Sequence, residues 1–525
     1  MKKLLSIVLV MAMLLSLAIA IPVSADTTTE TVSKWDGTIP TLATDVTYAN
    51  LFEGEGTEAS PYLIQSATDL AELAAFVNQG LTTGTKTTWG KYFELKCDID
   101  IDDKEWPGIG VMTNTYRSAG TDSTAWANIS NVSSFQGNFN GDGHVVYNLN
   151  LASNPMFAGF FNCITTATAY IHDFGIASGN ISVEGVAYLG ALVGYMSNNA
   201  KIENCFNAAN IISTATVRIS RIGGLVGFAD RGRINGATSS STDTNRLDNC
   251  WNSGNITITE NSSFAMIRCG GIMGEKDYGG VVLKGCTNVG NIICNKSISN
   301  ASSGLASLVG QTVSGSFVYS NVYAGGSISA VYNDGISEYI GSAVGYNLLV
   351  MVVESIYYDV NVIINGARQD SVAMCGFDNQ SNATTNYTKV ESITISDTTM
   401  LSNNFAQNGI DENAGNIRFV SELGFSAGAF SETGYVVEFG AKSTELGGKV
   451  VYTSLKAADA EAEGGYKTLT PTGKYYIAYG ISGIPEDVSG TVTVTPYVVL
   501  LDGTTTVYGA SAEYTITDGV LQQNS

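Results

Sequence analysis

The chain repeats itself, and that limits its folds more than any other property. In residues 247–274, LDNCWNSGNITITENSSFAMIRCGGIMG, two signatures follow one another. The first is apolar-x-Asn-Cys-aromatic-Asn-x-Gly-Asn-Ile. It starts at Leu247 and recurs with drift from Ile202, Leu283, Tyr319 and Val353, at spacings of 45, 36, 36 and 34 residues. The second is aliphatic-Gly-small-apolar-apolar-Gly, which recurs at 189–194, 222–227, 305–310 and 340–345. A near-constant period of this size specifies a solenoid or an array of small units.

Each repeat contains three short alternating runs, here Asn255–Thr259, Ala265–Gly274 and Gly280–Cys286. Period-two runs bounded by Asn, Gly and Ser predict strands, and glycine every few residues disfavours helix. Three strands and three corners per repeat predict one coil of a parallel β-helix. Alignment gives the inward column. Cys269 takes the place of Leu189, Ile222, Leu305 and Ile340; Cys205, Cys250 and Cys286 take that of Val322 and Ile356; and Cys294 aligns with Ile258 and Ala330. A position that accepts Cys, Ile, Leu and Val is chosen for apolar volume. Gly194, Gly227, Gly274, Gly310 and Gly345 are expected at strand-ending bends that need positive φ or no side chain. Asn207, Asn252 and Asn288 are expected at a left-handed corner, stacked as an amide ladder. Seven or eight coils at roughly 4.8 Å each predict a rod of about 35–40 Å.

These runs resemble the GLUG-motif family of bacterial extracellular repeat proteins. Phe135-x-Gly137-x-Phe139-Asn140-Gly141-x-Gly143-His144 is similar to the element that precedes such repeats. The resemblance covers about residues 56–365. It implies an all-β protein built on a right-handed parallel β-helix, secreted or on the cell surface, often adhesin-like. It brings no catalytic residues.

The flanking segments read differently. Residues 1–25 carry Lys2 and Lys3, an apolar run and Val23-Ser24-Ala25, the pattern of a secretory signal peptide. Residues 26–55 are Thr-rich and aperiodic, an expected flexible leader. Ser66–Gln79 places Leu70, Leu73, Ala74 and Val77 on one helical face, with Ser66 or Thr68 as N-cap and Gly80 as stop, a helical cap for the open end of the solenoid. Residues 366–412 are a connector in which Asp397–Phe405 is expected to form a short helix. Residues 413–525 alternate in six or seven runs between Gly, Pro and Asp turns, as in an Ig-like β-sandwich. No later stretch is long and apolar enough to span a bilayer, so retention at a surface is expected to be non-covalent or through a partner.

Only 14 % of residues are charged and the net charge is −22. No basic patch exists to neutralise phosphates, which excludes nucleic acid and disfavours anionic lipid. Eight cysteines in an exported chain would suggest disulfides, yet five occupy aligned core positions. Those five are expected to be free thiols, while Cys97, Cys163 and Cys375 stay open.

Candidate site residues are few. Asp98, Asp100 and Asp102 alternate in YFELKCDIDIDD and could hold calcium or form a hydrogen-bonded corner. Two polar insertions break the repeat, and such insertions favour binding faces. The first carries Tyr116 and Trp126, the second Arg231 and Arg233, proposed contacts for a sugar or protein ligand; solvated loops are the alternative. Asp173, Glu203 and Asp248 fall at equivalent outward places, but their counterparts Lys284, Tyr319 and Glu354 share no chemistry. Neither His144 nor His172 has a nucleophile motif beside it. The expected function is a secreted or surface adhesin-like binding protein for a glycan or a host or matrix surface. The alternatives are a structural surface component and a polysaccharide lyase or hydrolase. A clustered acidic groove would favour the enzyme, and a flat flank lined by Asn and Thr would favour binding or structure.

Overall fold

The computed structural model describes residues 32–80, 88–112, 132–152, 156–215, 219–231, 243–261, 265–300, 302–336, 338–382, 386–389, 399–403, 415–423, 430–439, 448–456, 466–469, 474–484, 489–500, 506–517 and 520–522. Residues 1–25, expected to be a signal peptide, lie outside the described residues. Two compact units divide between residues 391 and 392.

The first unit is a parallel β-solenoid. One coil runs through five short strands, Thr244–Asp248, Trp251–Asn252, Ile256–Asn261, Met266–Gly270 and Met273–Lys276. Each pairs with its counterparts in neighbouring coils, giving five stacked sheets of nine, ten, seven, six and seven strands, named first to fifth here in the order a coil visits them. Pairing is parallel except at the last strand of the third sheet, Ala367–Arg368, which folds back. The expectation of three strands per coil is corrected to five. The run 265–274 breaks at Gly271, where a Cβ would come within 2.2 Å of the Asn288 side chain. A two-residue strand, Trp251–Asn252, fits between two corners.

The inward columns are as the repeats align. Leu189, Ile222, Cys269, Leu305 and Ile340 lie in register through five coils, and Ile258, Cys294 and Ala330 do likewise. All are buried in one continuous core. All eight cysteines are free thiols. In the third sheet buried and exposed residues alternate, as along Asn180–Glu184, so the period-two pattern and the burial agree there.

The corners differ from expectation. Gly274 and its equivalents have no positive φ and sit inside the fifth-sheet strands. A Cβ on Gly274 would lie 2.5 Å from Ile222 N and 2.6 Å from Gly227 O, so glycine is there for close approach of backbones. The left-handed corner falls on Asn204 (φ 50°), Asn249 (φ 52°) and Gly285 (φ 62°), three residues before the places expected, and on Asn321 (φ 52°) in the next coil. Asn207, Asn252 and Asn288 form a ladder, fully buried. Asn207 Nδ2 donates to Asn252 Oδ1 (2.9 Å), and Asn252 Nδ2 donates to Asn288 Oδ1 (2.8 Å). The other two asparagines of the signature stack as well: Asn249 donates to Asn204 and Asn204 to Asp173, while Asn291 donates to Asn255 and Asn255 to Asn210.

The helix Ala67–Asn78 forms as read, with Ser66 Oγ accepting from Asp69 N and Gly80 at φ 70°. Its apolar face joins the core, and Phe76 stacks on Tyr48 at 4.3 Å. Tyr48 belongs to the segment expected to be a flexible leader. That expectation is corrected from residue 32 onward: Ser33–Lys34 pairs with Ile99–Asp100, and Trp35 is buried against Trp106. Aromatic burial there outweighs the Thr-rich composition. At the other end the ladders continue past 365, through Cys375–Asp378 and Tyr387–Lys389. The second sheet therefore has ten levels where seven or eight were expected. The terminal strand Met351–Val353 of the first sheet is covered by amides, Met351 N donating to Asn382 Oδ1 (2.7 Å) and Asn386 Nδ2 donating to Val353 O (2.8 Å).

In the second unit, Thr399–Asn403 is a strand paired antiparallel with Gly415–Leu423, which corrects the expected helix: the segment pairs at the edge of the four-stranded sheet. The described strands form two antiparallel sheets, one of four strands and one of six. Tyr435 of the larger donates to Ser421 Oγ of the smaller at 2.9 Å, in a buried position.

Candidate functional site

Three outward-facing arrangements on the solenoid carry chemistry. The first lies on the first sheet. Glu94, Asn140, His172, Glu203, Asp248 and Lys284 follow one another in register, one per coil. Two residues earlier on the strands stand Tyr170, Lys201 and Arg246. Lys201 donates to Glu203, lies 3.9 Å from Asp248 Oδ2, and sits 4.6 Å over the Tyr170 ring. Tyr170 OH also donates to Glu203. Arg246 donates to both oxygens of Asp248 at 3.2 Å. Burial alone would push the Glu203 carboxyl up, but Lys201 and Tyr170 outweigh it and hold the pKa below the ordinary range. Asp173 is also held low, with His172 and Asn204 outweighing burial. Lys284 and Ser320 separate Asp248 from the coil of Glu354. Every carboxylate at the centre of this flank has a cation on its own strand, so it is a charge-paired ridge.

The second arrangement was not anticipated. Strands of the fourth and fifth sheets bend back on each other, and their outward side chains meet in a buried seam. Arg221 Nε donates to Glu275 Oε2 at 2.7 Å, and Arg268 donates to the same oxygen. The Arg221 guanidinium lies 4.8 Å over Tyr188 and 5.1 Å over Phe228. Arg221 and Glu275 are 4 % and 2 % exposed. Burial would raise the Glu275 pKa, but the two arginines hold it low. Beside it Lys276 is fully buried, and burial lowers its pKa to about 8 against a smaller opposing pull from Asp277. A sequence signal existed: Arg stands just before the aliphatic-Gly run in two copies, and Glu follows the closing Gly in one of them.

The third arrangement is the outer face of the third sheet. Ser182, Ile212, Thr257, Ile293, Ser329 and Ile363 stand in register through six coils, hydroxyl and isoleucine alternating strictly. Beside them runs the column of Asn210, Asn255, Asn291 and Ser327, each side chain bonded to the one before it. The hydroxyls of Ser182, Thr257 and Ser329 bond to no described residue. Ser182 is exposed, and the five after it are half-buried.

The predicted site residues separate. Asp98 Oδ1 accepts from Val145 N and contacts His144 Nδ1 at 3.2 Å; Asp100 Oδ1 accepts from Asp102 N and Asn148 Nδ2; Asp102 pairs with Lys34 and Lys104. With Asp102 at φ 59° the chain has turned, and the three carboxylates do not converge on one point. The corner alternative describes them better, and among the described residues no cluster of three or more His, Cys, Asp or Glu is placed to hold a metal ion. Arg231 lies 4.9 Å over Tyr278, which is 38 % exposed and has φ 41°. Tyr116, Trp126 and Arg233 lie outside the described residues. Among those described, no helix is long and apolar enough to cross a membrane.

No family model, curated protein or solved structure matches the chain.

Proposed function

We propose that this is an extracellular adhesin-like binding protein, exported by its N-terminal segment, whose solenoid flank holds a glycan or a host or matrix surface. The observation that carries this reading is the third-sheet face, where two uncharged columns cross successive coils of a chain with net charge −22. A GLUG-type right-handed β-helix and an Ig-like sandwich at residues 413–525 belong to the same reading. The pairing of Tyr435 with Ser421 across the two C-terminal sheets supports the sandwich.

A hydrolase needs one carboxyl held neutral by its surroundings beside an ionised partner. Glu203 and Asp248 are adjacent, but each has its own cation and Glu203 is held low. That geometry favours binding over hydrolysis. The test is incubation of residues 26–525 with insoluble polysaccharides, mucin and matrix proteins, assaying the supernatant for lost protein and released fragments. Depletion without fragments is expected. Fragment release would overturn the reading in favour of an enzyme, and neither signal would favour a structural component.

A further inference from the structure

We infer that the outer face of the third sheet binds an uncharged polysaccharide chain laid along the solenoid axis. This rests on the adhesin reading and adds the face, the direction and the ligand class. The central column alternates Ser182, Ile212, Thr257, Ile293, Ser329 and Ile363 in unbroken register. Parallel strands are spaced by roughly 4.8 Å, so like side chains recur about every 9.6 Å along the axis. An extended polysaccharide repeats on the scale of one disaccharide and presents hydroxyl groups and C–H surface in turn. The isoleucines offer apolar contact to the C–H surface. The three hydroxyls, with no bonds to described residues, can each donate and accept. The neighbouring amide column is already bonded within itself, which stiffens the face and lowers the ordering cost of binding.

Charge selects the ligand class. Neither column contains an ionisable side chain. An acidic polysaccharide would gain no cation from the six levels of the central column, since Arg368 stands opposite Ile363 only at the folded-back end, and it would meet the repulsion of the whole chain, net charge −22. A neutral glycan brings no charge to desolvate on such a face, and the hydroxyls of Ser182, Thr257 and Ser329 can pair with hydroxyls it presents.

The full chain should co-sediment with at least one of cellulose, chitin and an insoluble neutral α-glucan, and not with calcium alginate or pectate gel. The double variant Ile212→Glu with Ile293→Glu should lose at least tenfold in affinity. Ser182→Ala, Thr257→Val and Ser329→Ala combined should lose several-fold without altering the backbone, and this triple variant decides the matter should the glutamates impair folding. Lys201→Ala with Arg246→Ala, on the charged flank, should bind as the unaltered chain does. Unchanged binding by the triple variant, or loss only in the Lys201 and Arg246 variant, would overturn the assigned face and leave the adhesin reading intact. Preference for the acidic gels would overturn the ligand class. Binding to mucin or matrix protein alone would overturn this inference but not the adhesin reading, whereas binding to nothing would overturn both.

Discussion

Asn252 donates its side-chain amide to Asn288 Oδ1 one coil further on at 2.8 Å and to its own turn at Gly254 O at 2.9 Å, while accepting from Asn207. All three asparagines are fully buried. Replacing Asn252 by Ala leaves one or two buried polar groups unpaired, at about 1–3 kcal/mol each. Asn252→Ala should therefore lower the urea midpoint of the solenoid by the equivalent of about 2–3 kcal/mol. Asn252→Asp should be worse, because a carboxylate there faces the acceptors Asn288 Oδ1 and Gly254 O.

Gly274 tests close packing between coils. A methyl group there meets backbone at 2.5 Å on one neighbouring strand and 2.6 Å on another, and backbone cannot swing aside. Gly274→Ala should cost about 3 kcal/mol, the upper end for overpacking. Gly143→Ala meets no atom within 4 Å and pays only for φ 82°, about 1–2 kcal/mol. Thermal unfolding of the two variants side by side should reproduce that order.

Lys276 gives a pH dependence with a definite sign. It occupies the column that holds Met196 and Ala229 in earlier coils, and burial lowers its pKa from 10.5 to about 8. Below pH 8 it is charged in both states and the burial penalty is present in full. Between about pH 8 and 10.5 the unfolded chain binds more protons, so the penalty is relieved as pH rises. Lys276→Met should be more stable than the unaltered chain at pH 7, by up to about 3 kcal/mol. The advantage should shrink by pH 10, read as the difference between two urea titrations.

The thiols should be almost silent in the folded protein. Cys163, Cys205, Cys250, Cys269, Cys286 and Cys294 are buried, and burial is the main cause raising the pKa of Cys163, Cys205, Cys250 and Cys269. Only Cys97 and Cys375 are half-buried, and burial raises them too. Since the thiolate is the reactive form, a colorimetric thiol reagent should titrate at most two groups slowly under native conditions and all eight in denaturant. Rapid reaction of more than two would contradict the packing of the Cys205, Cys250 and Cys286 column.

The sequence alone determined the solenoid, the inward columns, the ladder at Asn207, Asn252 and Asn288, and the capping helix after Ser66. Burial acts at every coil in the same way, so the apolar choice at Cys269 or Leu305 is written again in each repeat. Tertiary structure decided the rest. Of the two strands beyond the three expected, one arises because Gly271 must pass the Asn288 side chain, a contact that belongs to the stacked coils. Trp35 and Tyr48 are ordered by Trp106 and Phe76, partners that no local pattern reveals. Arg221 meets Glu275 across 54 residues because two sheets bend back on each other. Glu203 and Asp248 read as acids in the sequence, and become half of two ion pairs once Lys201 and Arg246 stand beside them. Outward positions are not fixed by burial, so their meaning depends on what the next coil brings alongside.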